Sequence, residues 1–295
     1  MDSKLKSLIR IASHSGNWYD SDSSVLAQSF KNWLDKVAVV KEIKQLKGII
    51  GPHAGYYYSG STAAWSYANI NPSCYDRVVL LGPCHYKGIS ACGLPSCNIY
   101  ETPLGNINVD TVEVEKLSKL KNFVYVKKED EEQEHSLEMH LPYIKYIFGE
   151  QDIKLLPIMV GSLNQKSAEY FGKIFAEYLK EDKTLFIVSS DFCHWGTNFD
   201  YMPYNSEDGE IWQHIEKMDC EGISHITNED PEAFLTYLKD SKNTICGRHP
   251  INVYLYALKF SGLDTITKLV HYKQSSQVKT RKQSSVSYAS IITYL

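Results

Sequence analysis

The chain has 295 residues, 43% hydrophobic and 22% charged, with a net charge of −4. That size and mix support a buried core, and the acidic balance argues against nucleic acid or an anionic membrane as the main partner. No apolar run reaches the roughly 18 residues that a membrane span needs, and Met1 to Arg10 carries no secretory pattern.

From the N-terminus, the apolar spacing predicts a helix over Ser23–Val37, a strand over Leu46–Ile50, a helix over Ser59–Asn69 and a strand over Val78–Leu81, buried on both faces. Helices follow over Thr111–Leu120 and Leu137–Phe148, with the charge run Lys127 to Glu134 between them reading as a solvated loop. A strand over Ile153–Val160 contains Pro157, which points to an edge or an irregularity. A helix over Ser167–Leu179 and a strand over Leu185–Val188 come next. Helices over Gly209–Asp219, Pro231–Leu238 and Pro250–Phe260 and strands over Thr265–Tyr272 and Ser284–Tyr294 complete the chain. Strands alternating with helices define an α/β class: a layered domain with a central, largely parallel or mixed β-sheet flanked by helices. No linker, repeat or low-complexity tract divides it, so residues 1–295 read as one domain.

The seven cysteines are odd in number and form no CxxC, which fits reduced thiols in the cytoplasm. Cys74, Cys92, Cys97 and Cys220 read as inert. Most of the 21 tyrosines read as half-buried scaffold residues.

Ligands of open α/β sheets bind beyond the carboxyl ends of the strands. Three strand ends there present a histidine: Gly51-Pro52-His53, Gly82-Pro83-Cys84-His85 and Ser189-Ser190-Asp191-Phe192-Cys193-His194. Two parallel strands ending in Gly-Pro and a His bring two imidazoles to one rim, and neutral imidazole is the commonest metal ligand. A third ligand is Asp191 or Cys246; the latter lies in a Gly-containing turn at a predicted helix start, where the helix N-terminus and Arg248 both favour thiolate. In Glu134-His135-Ser136-Leu137-Glu138-Met139-His140, His135 and Glu138 share a helical face. His140 lies roughly 140° around from His135, so the two do not both face one ion; one faces the pocket and the other is a surface or capping residue. His14, His214, His225 and His271 read as structural or surface.

Several long stretches together resemble the Memo family, named for mediating ErbB-driven cell motility. They are Ala12 to Tyr19, Pro52 to Tyr56, Leu81-Gly82-Pro83, Glu134 to Tyr143, Val188 to Gly196, Asn243 to Pro250 and Ser284 to Ala289, in register from about residue 10 onwards. The resemblance implies a fold similar to class III extradiol dioxygenases, which hold a non-haem iron with two His and a Glu. It implies a vestibule of two His and a Cys, here His53, His85 and Cys246, associated with iron or copper and with redox signalling. Asp191 and His194 would sit beside the metal, and Trp18 and Tyr58 would sit near the pocket mouth. Cys84 departs from the family pattern, which has Ser there, and adds a second thiol next to His85.

Two readings follow. In the first, one iron or copper ion per chain is bound by His53, His85 and Cys246, with His194 or His135 as acid/base groups, Asp191 as a proton acceptor or orienting group, and Glu138 as a candidate in the same cluster. In the second, the chain is a non-catalytic adaptor on an old enzyme scaffold. It would bind a small molecule or a phosphotyrosine peptide through Trp18, Tyr58, Arg248, His140 and His249. A Cys/His hydrolase built on Cys246 with His249 or His194 is a weaker third reading.

Overall fold

The computed structural model describes residues 8–295, so most of the leader stretch considered above, residues 1–7, lies outside the described residues. In chain order the first half contains β1 (Ile9–Arg10), α1 (Ser23–Leu34), β2 (Leu46–Gly51), α2 (Tyr56–Tyr67), β3 (Arg77–Pro83), β4 (Cys92–Leu94), β5 (Ile99–Tyr100), β6 (Ile107–Val109), α3 (Thr111–Ser118), β7 (Phe123–Tyr125), α4 (Lys128–Gln133), α5 (His135–Glu138) and α6 (Leu141–Phe148). The second half contains β8 (Lys154–Val160), α7 (Gln165–Lys180), β9 (Thr184–Ser189), β10 (His194–Trp195), α8 (Ile211–Thr227), α9 (Pro231–Ser241), α10 (Arg248–Ser261), β11 (Ile266–Gln274) and β12 (Ser285–Tyr294).

The strands join into one mixed sheet whose centre runs β8-β3-β9-β2, all parallel. β12 closes this block antiparallel to β2 and carries β11 on its other side. Val78 to Leu81 in β3 and Leu185 to Val188 in β9 are wholly buried, as near-continuous apolar strands covered on both faces must be. α7 and α10 pack on each other, and α10 lies against β3 and β9, while α2 lies against β2 and β12. Burial on both faces is why these strands were readable without any period-2 alternation.

Two expectations change, and one, for Pro157, narrows from an edge or an irregularity to the irregularity. The helix expected over Leu137–Phe148 is broken: α5 ends at Glu138, and α6 restarts at Leu141 with Pro142 in its first turn, where the missing N–H has no partner to lose. Lys127 to Glu134 is not a solvated loop. It forms α4, and Glu131 and Glu134 turn inward: Glu131 accepts from Ser96 N, Ser96 Oγ and Tyr100 Oη, and Glu134 accepts from His85. Pro157 lies inside the sheet, not on an edge. β8 is paired along its whole length with β3, but on its other side only at its ends, with β6 and β4, so the proline faces a gap in the ladder.

Gly82 fixes how the pocket is built. A Cβ there would fall 2.7 Å from Leu137 Cδ2 and 2.9 Å from Ser136 Oγ, so a larger residue would push these side chains aside where α5 sits on β3. That contact carries His135 to the end of the sheet where His53 and His85 emerge.

Candidate functional site

The carboxyl ends of β2, β3 and β9 deliver His53, His85 and Asp191 to one rim, as the strand-end rule requires. His53 is buried. Its Nδ1 lies 2.6 Å from Ser189 Oγ, and that hydroxyl donates its one proton to the Ser136 carbonyl at 2.8 Å. Ser189 therefore accepts from Nδ1–H, and the network assigns His53 the tautomer with a free Nε2 lone pair. That nitrogen stands 3.1 Å from Cys246 Sγ and 4.0 Å from Asp191 Oδ2. Burial, then the neighbouring imidazoles His135 and His85, push the His53 pKa well below its ordinary value.

His85 is held the same way by a different group. Its backbone N–H donates to Glu134 Oε2 at 2.6 Å, and its Nδ1 lies 2.8 Å from Oε1. A carboxylate only accepts, so Nδ1 carries the proton and Nε2 is again free. Burial pushes the Glu134 carboxyl up, but the hydrogen bonds and charge of His85 outweigh it and bring the group down to about 2.

His135 stacks on His85, with ring centroids 4.4 Å apart and planes 13° from parallel, and Trp18 covers it at 4.5 Å. Its Nδ1 is buried without a hydrogen-bond partner, and burial, then His85, lower its pKa to about 4. The ligating atoms of His53, His85 and His135 all lie within 4.8 Å of one another, and those of His53, Asp191 and Cys246 form a second such group.

The expected set of His53, His85 and Cys246 is thus divided, with His53 at the junction. Glu134 and the stack on His135 hold His85 toward α5, while Cys246 is drawn to β9, where its sulfur accepts from Asp191 N–H at 3.1 Å. His135 is the ring that completes the imidazole group. The thiolate expectation for Cys246 is corrected as well: burial, then the Asp191 carboxylate, raise its pKa well above the ordinary value, and both outweigh the helix start. Arg248 is exposed and turns its guanidinium back to the Ile245 carbonyl at 3.4 Å, away from any role in lowering that thiol.

Asp191 accepts from the backbone N–H groups of His53 and Ala54 at 2.8 and 3.3 Å, and burial raises its pKa despite the opposing pull of His194. His194 donates Nδ1–H to the Phe192 carbonyl at 2.8 Å and so presents Nε2. The main pocket, about 640 Å³, is lined by His53, His85, His135, Asp191 and His194 together with Trp18 and Tyr58. A second cleft of about 420 Å³ holds Cys84, Cys246, Arg248 and His249, and His85 and His194 face both spaces. Cys84 donates its thiol proton to the Lys87 carbonyl at 2.7 Å and belongs to neither ligand group.

Glu138 and His140 do not line either space. Glu138, at 0% exposure, instead gathers the N-terminal segment: Arg10 at 2.7 Å, His14 Nδ1 at 2.8 Å and Tyr19 Oη at 2.7 Å. Burial raises its carboxyl, but His14 and Arg10 prevail and bring it to about 2. His140 is buried beside Tyr67, whose hydroxyl lies 2.8 Å from its Nδ1, and burial alone lowers its pKa to about 3. His249 sits at the second cleft, where burial lowers it to about 4. Sequence reasoning named no role for Ser189 and Glu134, the two groups that orient the His53 and His85 imidazoles. Both adjoin motif residues, and asking what binds each histidine's second nitrogen would have found them.

A layered α/β fold with a histidine-rich pocket at the carboxyl ends of its parallel strands defines a class of proteins with a candidate site for one transition-metal ion. A family model described as Memo-like protein matches residues 10–292, and the chain belongs to the Memo family. It is 42% identical to protein MEMO1 of Xenopus laevis over 96% of this chain and 97% of that one. It is also 42% identical to protein MEMO1 of Homo sapiens over 95% of each, and 39% identical to the memo-1 homologue of Caenorhabditis elegans over 97% of this chain and 83% of that one. The crystal structure of an uncharacterised Escherichia coli K12 protein has a TM-score of 0.51, 11% identity and coverage of 85% of this chain and 100% of that one, a likeness of fold alone. Among the described residues, no helix is long and apolar enough to cross a membrane.

Proposed function

We propose that this Memo protein holds one iron or copper ion in the His53–His85 pocket and works as a metal-dependent redox protein of the cytoplasm. The link to cell signalling and motility is drawn from the family resemblance. The observation that carries the reading is the matched pair of tautomers: Ser189 and Glu134 each fix a proton on Nδ1 and leave Nε2 of His53 and His85 free. His135 completes the set with these two rings, and Cys246 joins His53 in the second group, with Asp191. Nitrogen and sulfur donors suit iron, copper or zinc and disfavour magnesium and calcium; the sulfur tilts the choice toward copper. Two buried carboxylates close by, Glu134 and Asp191, favour a cation there. Such an ion, when bound, supplies a redox couple and a Lewis acid.

The chain's own groups do the rest. Trp18 covers His135 and shields it from water. His194 offers Nε2 to a proton, and Asp191 stands at the pocket wall as a second acid/base group. The side of the pocket lined by Trp18 and Tyr58 admits an aromatic or peptide group. The test is metal analysis of untagged protein purified without oxygen. Wild type should carry near-stoichiometric iron or copper, His53→Ala should lose it, and Cys246→Ser should lower it or change the metal. A metal-free wild type that still binds a phosphotyrosine peptide would overturn this reading in favour of an adaptor.

A further inference from the structure

Cys246 and Asp191 belong to two loops that lie side by side. One, Ser190 to His194, leaves β9; the other, Asn243 to Gly247, leads into α10. They are stitched by Gly247 N–H to Ser190 Oγ at 3.0 Å, Asp191 N–H to Cys246 Sγ at 3.1 Å and His194 N–H to Thr244 Oγ1 at 2.7 Å. A Cβ on Gly247 would fall 2.4 Å from the Ser189 carbonyl oxygen, so the loops touch along their backbones.

Beneath them sits Asp219, in the middle of α8 and 0% exposed. Its Oδ1 accepts from Cys193 N–H at 3.2 Å on the first loop and from Asn243 Nδ2 at 2.8 Å on the second. Its Oδ2 accepts from Tyr272 Oη at 2.8 Å on β11. Among the described residues no cation pairs with it, and burial raises its pKa to about 6 against the pull of these donors. What the carboxylate supplies is a shared acceptor for both loops.

We propose that Asp219 is a positioning residue that latches the Asp191–His194 loop and the Cys246 loop to α8 and β11, and so keeps the sulfur in register with His53. The proposal rests on the metal reading for the purpose of that register. Ligand geometry tolerates errors of about half an ångström, and the stitches between the loops tie them to each other but not to α8. The Asp219 contacts supply that anchor.

Cobalt(II) is the probe, because a cysteine thiolate bound to it gives an intense near-ultraviolet charge-transfer band. Asp219→Leu removes both acceptors and keeps the branched shape of the side chain. Asp219→Asn keeps one oxygen for the two N–H donors, and the Tyr272 hydroxyl can then turn its proton to Ser287 Oγ, 3.2 Å away. The leucine variant should lose about tenfold or more in cobalt affinity, with a weakened sulfur band, and the asparagine variant should stay near wild type. Asn243→Ala, which cuts one side of the latch, should fall between them and decides the matter if the leucine variant does not fold. A folded Asp219→Leu or Asn243→Ala protein with wild-type affinity and band overturns the proposal. If wild type itself shows no sulfur band, Cys246 is not a ligand (and if it binds no cobalt at all, the metal reading fails by itself), and the latch is read from alkylation of Cys246 by iodoacetamide in metal-free protein. Faster labelling in the leucine variant supports it, and an unchanged rate overturns it.

Discussion

Glu134 and Glu138 flank the pocket on the α5 side, Asp219 flanks it on the α8 side, and all three are buried. Yet the glutamates are drawn down to about 2 and the aspartate is pushed up to about 6. Depth does not explain the difference. Glu138 faces Arg10 and His14, and Glu134 faces His85, so charged or charge-assisted donors outweigh desolvation. Asp219 faces an amide, a phenol and a backbone N–H, which are neutral and do not. A buried carboxylate's state follows from its donors.

The comparison is broken most directly at Glu138. Glu138→Ala leaves Arg10 buried without its counter-charge and frees His14 and Tyr19, and should cost about 3–5 kcal/mol in urea unfolding. A loss under 1 kcal/mol would show that the glutamate flank is not held by charge.

Acidity separates the flanks next. Each glutamate has a folded pKa below its ordinary value of 4.5, so its contribution is present above pH 4.5 and is lost as pH falls toward 2. Asp219 has a folded pKa above its ordinary value of 3.8, so its contribution is present below pH 3.8 and is lost as pH rises through 6. Both effects are on the order of 3 kcal/mol per group. Asp219→Asn should therefore gain stability relative to wild type between pH 4 and pH 7, measured by urea unfolding at each pH. No change in that difference would remove the aspartate from the contrast.

Ser189→Ala sharpens the contrast at the pocket itself, since it removes the neutral acceptor that fixes the His53 tautomer while leaving Glu134 to fix His85. Metal affinity, measured by competition with a chelating dye, should fall about 10- to 100-fold. A change under threefold would mean that His53 orients without help. The smallest effect belongs to an exposed pair: Lys31→Gln cuts the contact with Asp35 on α1 and should leave the urea midpoint unchanged. A lowered midpoint would mean that solvent-exposed charge also matters to this fold.

The same distinction marks what the sequence could convey. His53 and His85 were legible because a buried apolar strand followed by Gly-Pro fixes both where the sheet stops and where the next side chains go. Glu134 was not, because formal charge reads as solvent exposure until the partner, His85, is folded against it. The break between α5 and α6 was hidden by apolar spacing that runs on through Leu141 and Ile144, although Pro142 marked a new first turn. His135 was named as an acid/base group, but its place in the imidazole triad depends on Gly82 admitting α5 to the sheet, a contact between distant segments.

His85 and His194 each look into two spaces, one large and one small. Each ring is therefore a party wall, and a substitution at either imidazole reshapes the Trp18 chamber and the Arg248 chamber at once.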